Sequence, residues 1–167
     1  MTRYWFPETV KNWRLLQLNI TALTMLCNLF GKDMVKRHSG SILNVASTAG
    51  FQAGPLMSSY YASKAYVLLF SEGLNKELAQ DGVRVSVLCP GPTKTDFFDR
   101  ADMRTANMHK LPGMMSADRV AEICYSGLMR GKKIIIPGLM NKIIAFSSRL
   151  GPRSVPVSIA HFLNRKE

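Results

Sequence analysis

The chain has 167 residues, 47% of them hydrophobic and 20% charged, which suits one globular domain with its own core and excludes a disordered tail or a collagen-like repeat. Three cysteines, Cys27, Cys89 and Cys124, stand far apart with no CxxC pair; this argues against a disulfide framework and for reduced thiols in a cytoplasmic protein. Formal net charge is +11, and residues 130–167 carry Arg130, Lys132, Lys133, Lys142, Arg149, Arg153, Arg165 and Lys166 against Glu167 alone. Such an excess fits an anionic membrane surface, nucleic acid, or simply a solvated basic face.

The opening MTRYWFPETVKNW has Lys and Glu where a signal peptide needs its apolar stretch. Leu15 to Phe30 is apolar-leaning but is broken by Gln17, Asn19, Thr21, Thr24 and Asn28, a weak candidate for a membrane span. From Thr9 to about His38 the spacing of Trp13, Leu16, Ile20, Leu23, Leu26, Leu29 and Phe30 predicts a long helix, and Gly40 punctuates it. Ser41–Ala46 reads as a short buried strand. Ser47 to Pro55 is turn-rich, with Gly50, Gly54 and Pro55. Ser59 to Ala79 reads as a second helix ended by Asp81 and Gly82, and Val83–Leu88 as a second strand stopped by Pro90, Gly91 and Pro92.

Residues 95–115 read as irregular and methionine-rich. Ser116 is the expected N-cap of a helix ending near Arg130, with Asp118 and Glu122 in its early turns. Lys132 to Ile136 predicts a third short strand. Leu139 to Arg165 predicts one or two apolar-basic helices, broken at Gly151-Pro152 and Pro156. Alternating strands and helices imply an α/β fold with a parallel sheet and right-handed crossovers, in a single domain over residues 1–167.

Tyr60 and Lys64 stand one helical turn apart on one face. A tyrosine doing acid–base work near neutral pH needs such an ammonium, which favours the phenolate and lowers a pKa of about 10. The pair alone is a weak signal, since it arises by chance on many helices. Its surroundings strengthen it. Ser47 directly follows the first strand, at the carboxyl end where open α/β sheets place their sites. Pro90 and Gly91, with Thr93 and Thr95, follow the second strand at the same edge, so polar groups converge on one crevice. Ser47, Thr93 and Thr95 are equally suited to capping turns, and Asn19 to a bonded surface position. His38, His109 and His161 have no metal spacing, and no metal site is expected.

The run Asn44-Val-Ala-Ser47-Thr-Ala-Gly50, then Tyr60-Tyr-Ala-Ser-Lys64, then Pro90-Gly91-Pro-Thr93-Lys-Thr95, resembles the short-chain dehydrogenases/reductases in order and spacing. Gln17-Leu-Asn19 resembles that family's Asn-Val element. The resemblance covers Val10 to about Ile136 and is nearest in feel to bacterial ketone and acyl reductases and hydroxysteroid dehydrogenases. It implies a partial Rossmann-like, doubly wound sheet and an NAD(P)-dependent oxidoreductase acting on a ketone or secondary alcohol, NADP being weakly favoured over NAD. By matching positions, it implies that Tyr60 is the acid/base, that Lys64 lowers its pKa and holds the nicotinamide ribose, and that Ser47 polarises the substrate carbonyl. Asn19 would hold a relay water, and Pro90, Gly91, Thr93 and Thr95 would lie against the cofactor. It further implies dimerisation through the helices near 10–38 and 59–80.

That family opens with strands and a TGxxxGxG turn whose glycines admit the cofactor pyrophosphate. No such turn occurs here, and ~80–100 residues of the pattern are expected to be absent. The sheet is therefore expected to lack its amino-terminal strands, to leave the first strand's edge open, and to bind cofactor weakly on its own. Residues 96–115 are the expected substrate lid, with Phe97, Phe98, Met103, Met108, Leu111, Met114 and Met115 forming an adaptable apolar wall for a small hydrophobic substrate. Residues 139–165 are expected to roof the substrate pocket or to lie on a membrane surface. The alternative reading is a catalytically inactive fragment serving as a structural, dimerisation or membrane-surface module. Nucleic-acid binding ranks last, because aromatics are not interleaved with the basic residues. The absence of a GxSxG sequence speaks against a serine hydrolase.

Overall fold

The computed structural model describes residues 9–97, 106–107, 114–148, 150 and 152–165. Helix α1 (Thr9–Leu16) runs through a π-helical stretch, Gln17–Ala22, into α2 (Leu23–Lys36). Strand β1 (Gly40–Val45) follows, then a 3₁₀ turn at Thr48–Phe51 and the long helix α3 (Ser58–Leu78). Strands β2 (Val83–Leu88), β3 (Thr93–Lys94) and β4 (Met115–Ser116) come next, followed by α4 (Ala117–Met129) and β5 (Ile134–Ile135). Helices α5 (Leu139–Ser147) and α6 (Ser154–Asn164) complete the described fold.

The main sheet has the order β1-β2-β5 and is parallel throughout, with Gly40 opposite Val83 through Val45 opposite Leu88, and Val87 opposite Ile134. Central strand β2 is buried at every residue but Arg84, as the middle of a parallel sheet covered on both faces requires. Neighbouring residues of a strand point to opposite faces. Val87 packs with Val67 and Leu68 of α3, whereas Leu88 packs with Val120 and Cys124 of α4. Helices α3 and α4 therefore cover opposite faces, and the fold is a partial doubly wound Rossmann-like sheet. Strand β1 is the edge among the described residues, and Leu43 and Val45 on it are exposed.

Gly82 ends the α3 region in the left-handed conformation at φ 71°, and a Cβ there would stand 2.5 Å from the His38 carbonyl oxygen. The close approach ties the end of α3 to the turn that launches β1, so Gly82 fixes where β1 and β2 start together.

The structure corrects several sequence expectations. The first helix is not continuously α-helical; its hydrogen bonding slips over Gln17–Ala22, around Asn19. Its apolar residues Trp13, Leu26, Leu29 and Phe30 are exposed, while Cys27 and Gly31 carry the buried line. The third strand shrinks to Ile134–Ile135, and β3 and β4 form an unforeseen two-residue ladder across the ends of the irregular segment. Pro156 lies in the first turn of α6 instead of breaking it; a proline is tolerated there because the first-turn N–H has no intrahelical acceptor. The Ser116 cap is as expected, its Oγ accepting from Arg119 N–H at 3.3 Å. The apolar residues of α5 mostly face outward, so only its buried side, with Ala145, roofs anything. Among the described residues no helix is long and apolar enough to cross a membrane.

Candidate active site

Strand β1 delivers Ser47 to the carboxyl edge of the sheet just before the 3₁₀ turn. The Ser47 Oγ accepts from Ala49 N–H at 3.1 Å and so caps that turn, donates to the Pro90 carbonyl at 3.4 Å, and lies near enough to the Tyr60 phenol to act on its acidity. The turn lies directly on α3: a Cβ on Gly50 would stand 2.7 Å from the Lys64 carbonyl oxygen. A bare glycine at this point brings the strand-end serine within reach of the helix carrying Tyr60.

Lys64 sits one turn along α3, its Nζ 5.8 Å from the centre of the Tyr60 ring and donating to the Val45 carbonyl at 3.0 Å. The three groups lie together at the carboxyl end of β1. The expected lowering of the Tyr60 pKa by Lys64 does not follow, however. Burial pushes the phenol above its ordinary value, and the neighbouring Ser47 hydroxyl offsets this only in part. The ammonium is held at a backbone carbonyl beside the ring, and burial lowers its own pKa. Phe97 covers the phenol from the remaining side at 5.3 Å between ring centres.

The other expected site residues divide. The Asn19 Nδ2 donates to Ser63 Oγ at 3.0 Å, and Ser63 Oγ in turn donates to the Tyr60 carbonyl at 2.8 Å. Asn19 thereby fastens the π-helical stretch to the first turn of α3. π-Helical stretches recur at functional sites because they displace backbone groups from their usual partners. Pro90 is in place beneath Ser47, its carbonyl also accepting from Thr48 N–H at 2.9 Å. Gly91 turns its open side to Asn141 of α5, whose side chain fills the space a Cβ would take. Thr93 donates to the Gly91 carbonyl at 2.9 Å, and Thr95 accepts from Phe97 N–H at 3.3 Å, so both hydroxyls stabilise turns at the crevice edge. Of the lid, Phe97, Met114 and Met115 are described; Phe98, Met103, Met108 and Leu111 lie outside the described residues.

Sequence reading missed Ser63 and Asn164. Ser63 is buried and lies three residues beyond Tyr60, a spacing that was available as a signal. Asn164 of α6 is also buried; its Oδ1 accepts from Tyr61 OH at 3.3 Å and its Nδ2 donates to the Pro55 carbonyl at 2.9 Å. It pins the start of α3 from a distant point of the chain. A cavity of about 660 Å³ lies behind this region among Gly50, Pro55, Tyr61, Leu69 and Val157, and none of Ser47, Tyr60 or Lys64 lines it.

Protons are held tightly throughout this interior. Burial raises the pKa of Cys27, Cys124, Tyr60 and Tyr61, and pushes the Cys89 thiol up to about 12. The unfolded chain releases these protons first, from about pH 9 for thiols and pH 10 for phenols. The folded state therefore binds more protons above pH 9, and stability present below that pH is lost as pH rises toward the folded values. Lys64, shifted downward, opposes this as a single group. The urea midpoint is expected to fall steadily from pH 8 to about pH 11, with a shallower fall in Cys89→Ala.

Comparisons with known proteins identify the family. The family described as short chain dehydrogenase matches residues 8–106. The chain is 38% identical over 91 residues to 2-dehydro-3-deoxy-D-gluconate 5-dehydrogenase of Bacillus subtilis, covering 54% of this chain and 35% of that protein. It is 42% identical over 77 residues to 17-beta-hydroxysteroid dehydrogenase type 3 of Rattus norvegicus, covering 46% of this chain and 25% of that protein. A short-chain dehydrogenase from Sphingobium yanoikuyae, solved in complex with NADPH, superposes with a TM-score of 0.73 at 33% identity, over 85% of this chain and 55% of that one. The chain belongs to the short-chain dehydrogenase family. It spans about a third or less of the length of these two curated relatives and about half of the solved one.

Proposed function

We propose that this chain forms the catalytic end of an NAD(P)-dependent oxidoreductase that reduces a ketone or oxidises a secondary alcohol. The observation that carries this reading is the Tyr60 phenol, standing beside Ser47 at a strand end with the Lys64 ammonium near its ring. In the reductive direction Tyr60 gives its proton to the carbonyl oxygen while Ser47 holds that oxygen in place. Burial supports this role, because it keeps the phenol protonated and ready to donate at neutral pH.

The donor set at the crevice fits the sugar of a nicotinamide nucleotide. Lys64 has three N–H donors, and the bond to the Val45 carbonyl leaves two for a ribose diol. The cofactor, when bound, supplies or accepts the hydride; the protein supplies position and electrostatics. NADPH in the Sphingobium protein inclines the reading to NADP over NAD. No TGxxxGxG turn occurs in these 167 residues, and the chain by itself is expected to bind cofactor weakly. Pro90 and Gly91 shape the floor of the nicotinamide end, and Thr93 and Thr95 fix its rim. Asn19 acts by positioning the first turn of α3. Exposed Trp13, Leu26, Phe30 and Leu69 support self-association through the helices at 10–38 and 59–80.

The test is NADPH- and NADH-coupled reduction of a panel of hydrophobic ketones, by this chain and by a version extended with any coding sequence preceding Met1. Turnover in the extended version with weak or no turnover in the short one is the expected result. No turnover in either form sinks the reading and leaves the inactive interaction module.

A further inference from the structure

Away from the catalytic edge, a cleft of about 410 Å³ opens between α4, β5 and α5. Five charged side chains line it: Arg119, Glu122, Arg130, Lys132 and Lys142. Arg119 and Glu122 satisfy each other at 2.6 Å. That leaves Arg130, Lys132 and Lys142 with no carboxylate partner among the described residues, so the cleft carries three uncompensated cations over an apolar floor of Ile134, Ile135 and Ile136.

Lys142 belongs to α5, and α5 presents an apolar crest to solvent. Leu139, Ile143 and Phe146 follow one another at helical spacing and are 74%, 52% and 66% exposed, whereas Ala145 on the opposite side is buried. Lys142 is three residues from Leu139 and four from Phe146, so the rim of the basic cleft borders this crest. Beyond α5, Leu150, Val155, Ile159 and Phe162 are exposed in the same apolar-basic stretch.

We infer that the α5 crest and the adjoining cleft form a peripheral docking surface for an anionic lipid bilayer. The crest seats in the headgroup–acyl boundary and the cleft takes a lipid phosphate. Each half needs the other: a modest apolar crest gains little alone, and three surface cations gain little at physiological salt, but together they add hydrophobic and electrostatic attraction. A second copy of the chain is a poor occupant, since a two-fold interface would set these cations against themselves. Nucleic acid would use the cations but leave the aliphatic crest in water. The inference holds whether or not the oxidoreductase reading does.

The experiment is co-sedimentation of the 167-residue chain with vesicles, either an equal mixture of phosphatidylglycerol and phosphatidylcholine or phosphatidylcholine alone. Binding to the mixed vesicles, weakening with salt and nearly absent on phosphatidylcholine, is the expected result. Lys142→Gln is expected to weaken partition about fivefold, and Phe146→Ser to weaken it by a comparable factor, both with unchanged circular dichroism because both residues are exposed. Equal binding to both vesicle types, no binding to either, or indifference to both substitutions overturns the inference. So does preferential binding to an RNA oligonucleotide, or a dimer in solution that either substitution dissolves.

Discussion

Tyr60→Phe is expected to lower nicotinamide-coupled turnover by roughly 10²–10⁴-fold, the range for loss of a positioned acid or base. The substitution removes only the hydroxyl beside Ser47 and keeps the ring against Phe97 and Tyr61. The loss is expected in kcat rather than KM, with the thermal midpoint little changed. The neighbouring tyrosine is the natural control. Tyr61 OH is spent on Asn164, so Tyr61→Phe is expected to lower stability and spare the chemistry. Equal kinetic losses in the two variants would contradict the assignment. The pH profile adds a second check. Reduction needs the protonated phenol, which burial favours, so the reductive rate is expected to hold through neutral pH and fall only as pH rises through the raised pKa. Oxidation of an alcohol needs the phenolate and is expected to gain over the same interval.

The second large effect is structural. Asn164→Ala is expected to cost about 2–4 kcal/mol, because it leaves the buried Tyr61 hydroxyl and the half-buried Pro55 carbonyl without their partner, at about 1–3 kcal/mol for the buried group and less for the half-buried one. For a chain of this length that corresponds to a fall in melting temperature of roughly 5–15 °C, and it is a large share of a typical total stability of about 5–15 kcal/mol. Calorimetric unfolding checks it. Tyr61→Phe and Asn164→Ala share one bond, so the double variant is expected to lose less than the sum of the two. Full additivity would mean that the bond carries nothing.

What the sequence revealed, and what it withheld, follows from how local each signal is. Strand β2 was legible because a central parallel strand is predominantly apolar, here at Val83, Val85, Val87 and Leu88, and the Ser116 cap because capping is decided within four residues. The Ser47–Tyr60–Lys64 crevice was legible because a strand end and a helix face are both set by short spacing. The π-helical stretch at Gln17–Ala22 left no mark, since Asn19 reaches across to Ser63, 44 residues later. The polar line Ser63, Ser71 and Asn75 on the buried side of α3 also escaped, because periodicity seeks apolar residues. These three are buried only because Asn19, Asn44 and the Val85 N–H arrive from elsewhere to bond them. The tyrosine's raised pKa was invisible for a related reason: spacing places Lys64 near the ring, but the Val45 carbonyl decides where the ammonium points.

Tyr61 and Asn164 are 103 residues apart. At a synthesis rate of about 5–20 residues per second, the tyrosine emerges roughly 5–20 s before its partner exists. Through that interval the first turn of the third helix has no anchor on its far side, and β1 and β2 must find each other across a long loop, a slow kind of pairing. The chemical groups are therefore all translated well before they can be held still. The anchor arrives late and from a remote stretch of chain, so a nascent chain stalled before residue 164 would present Ser47, Tyr60 and Lys64 without the support that Asn164 gives the start of α3.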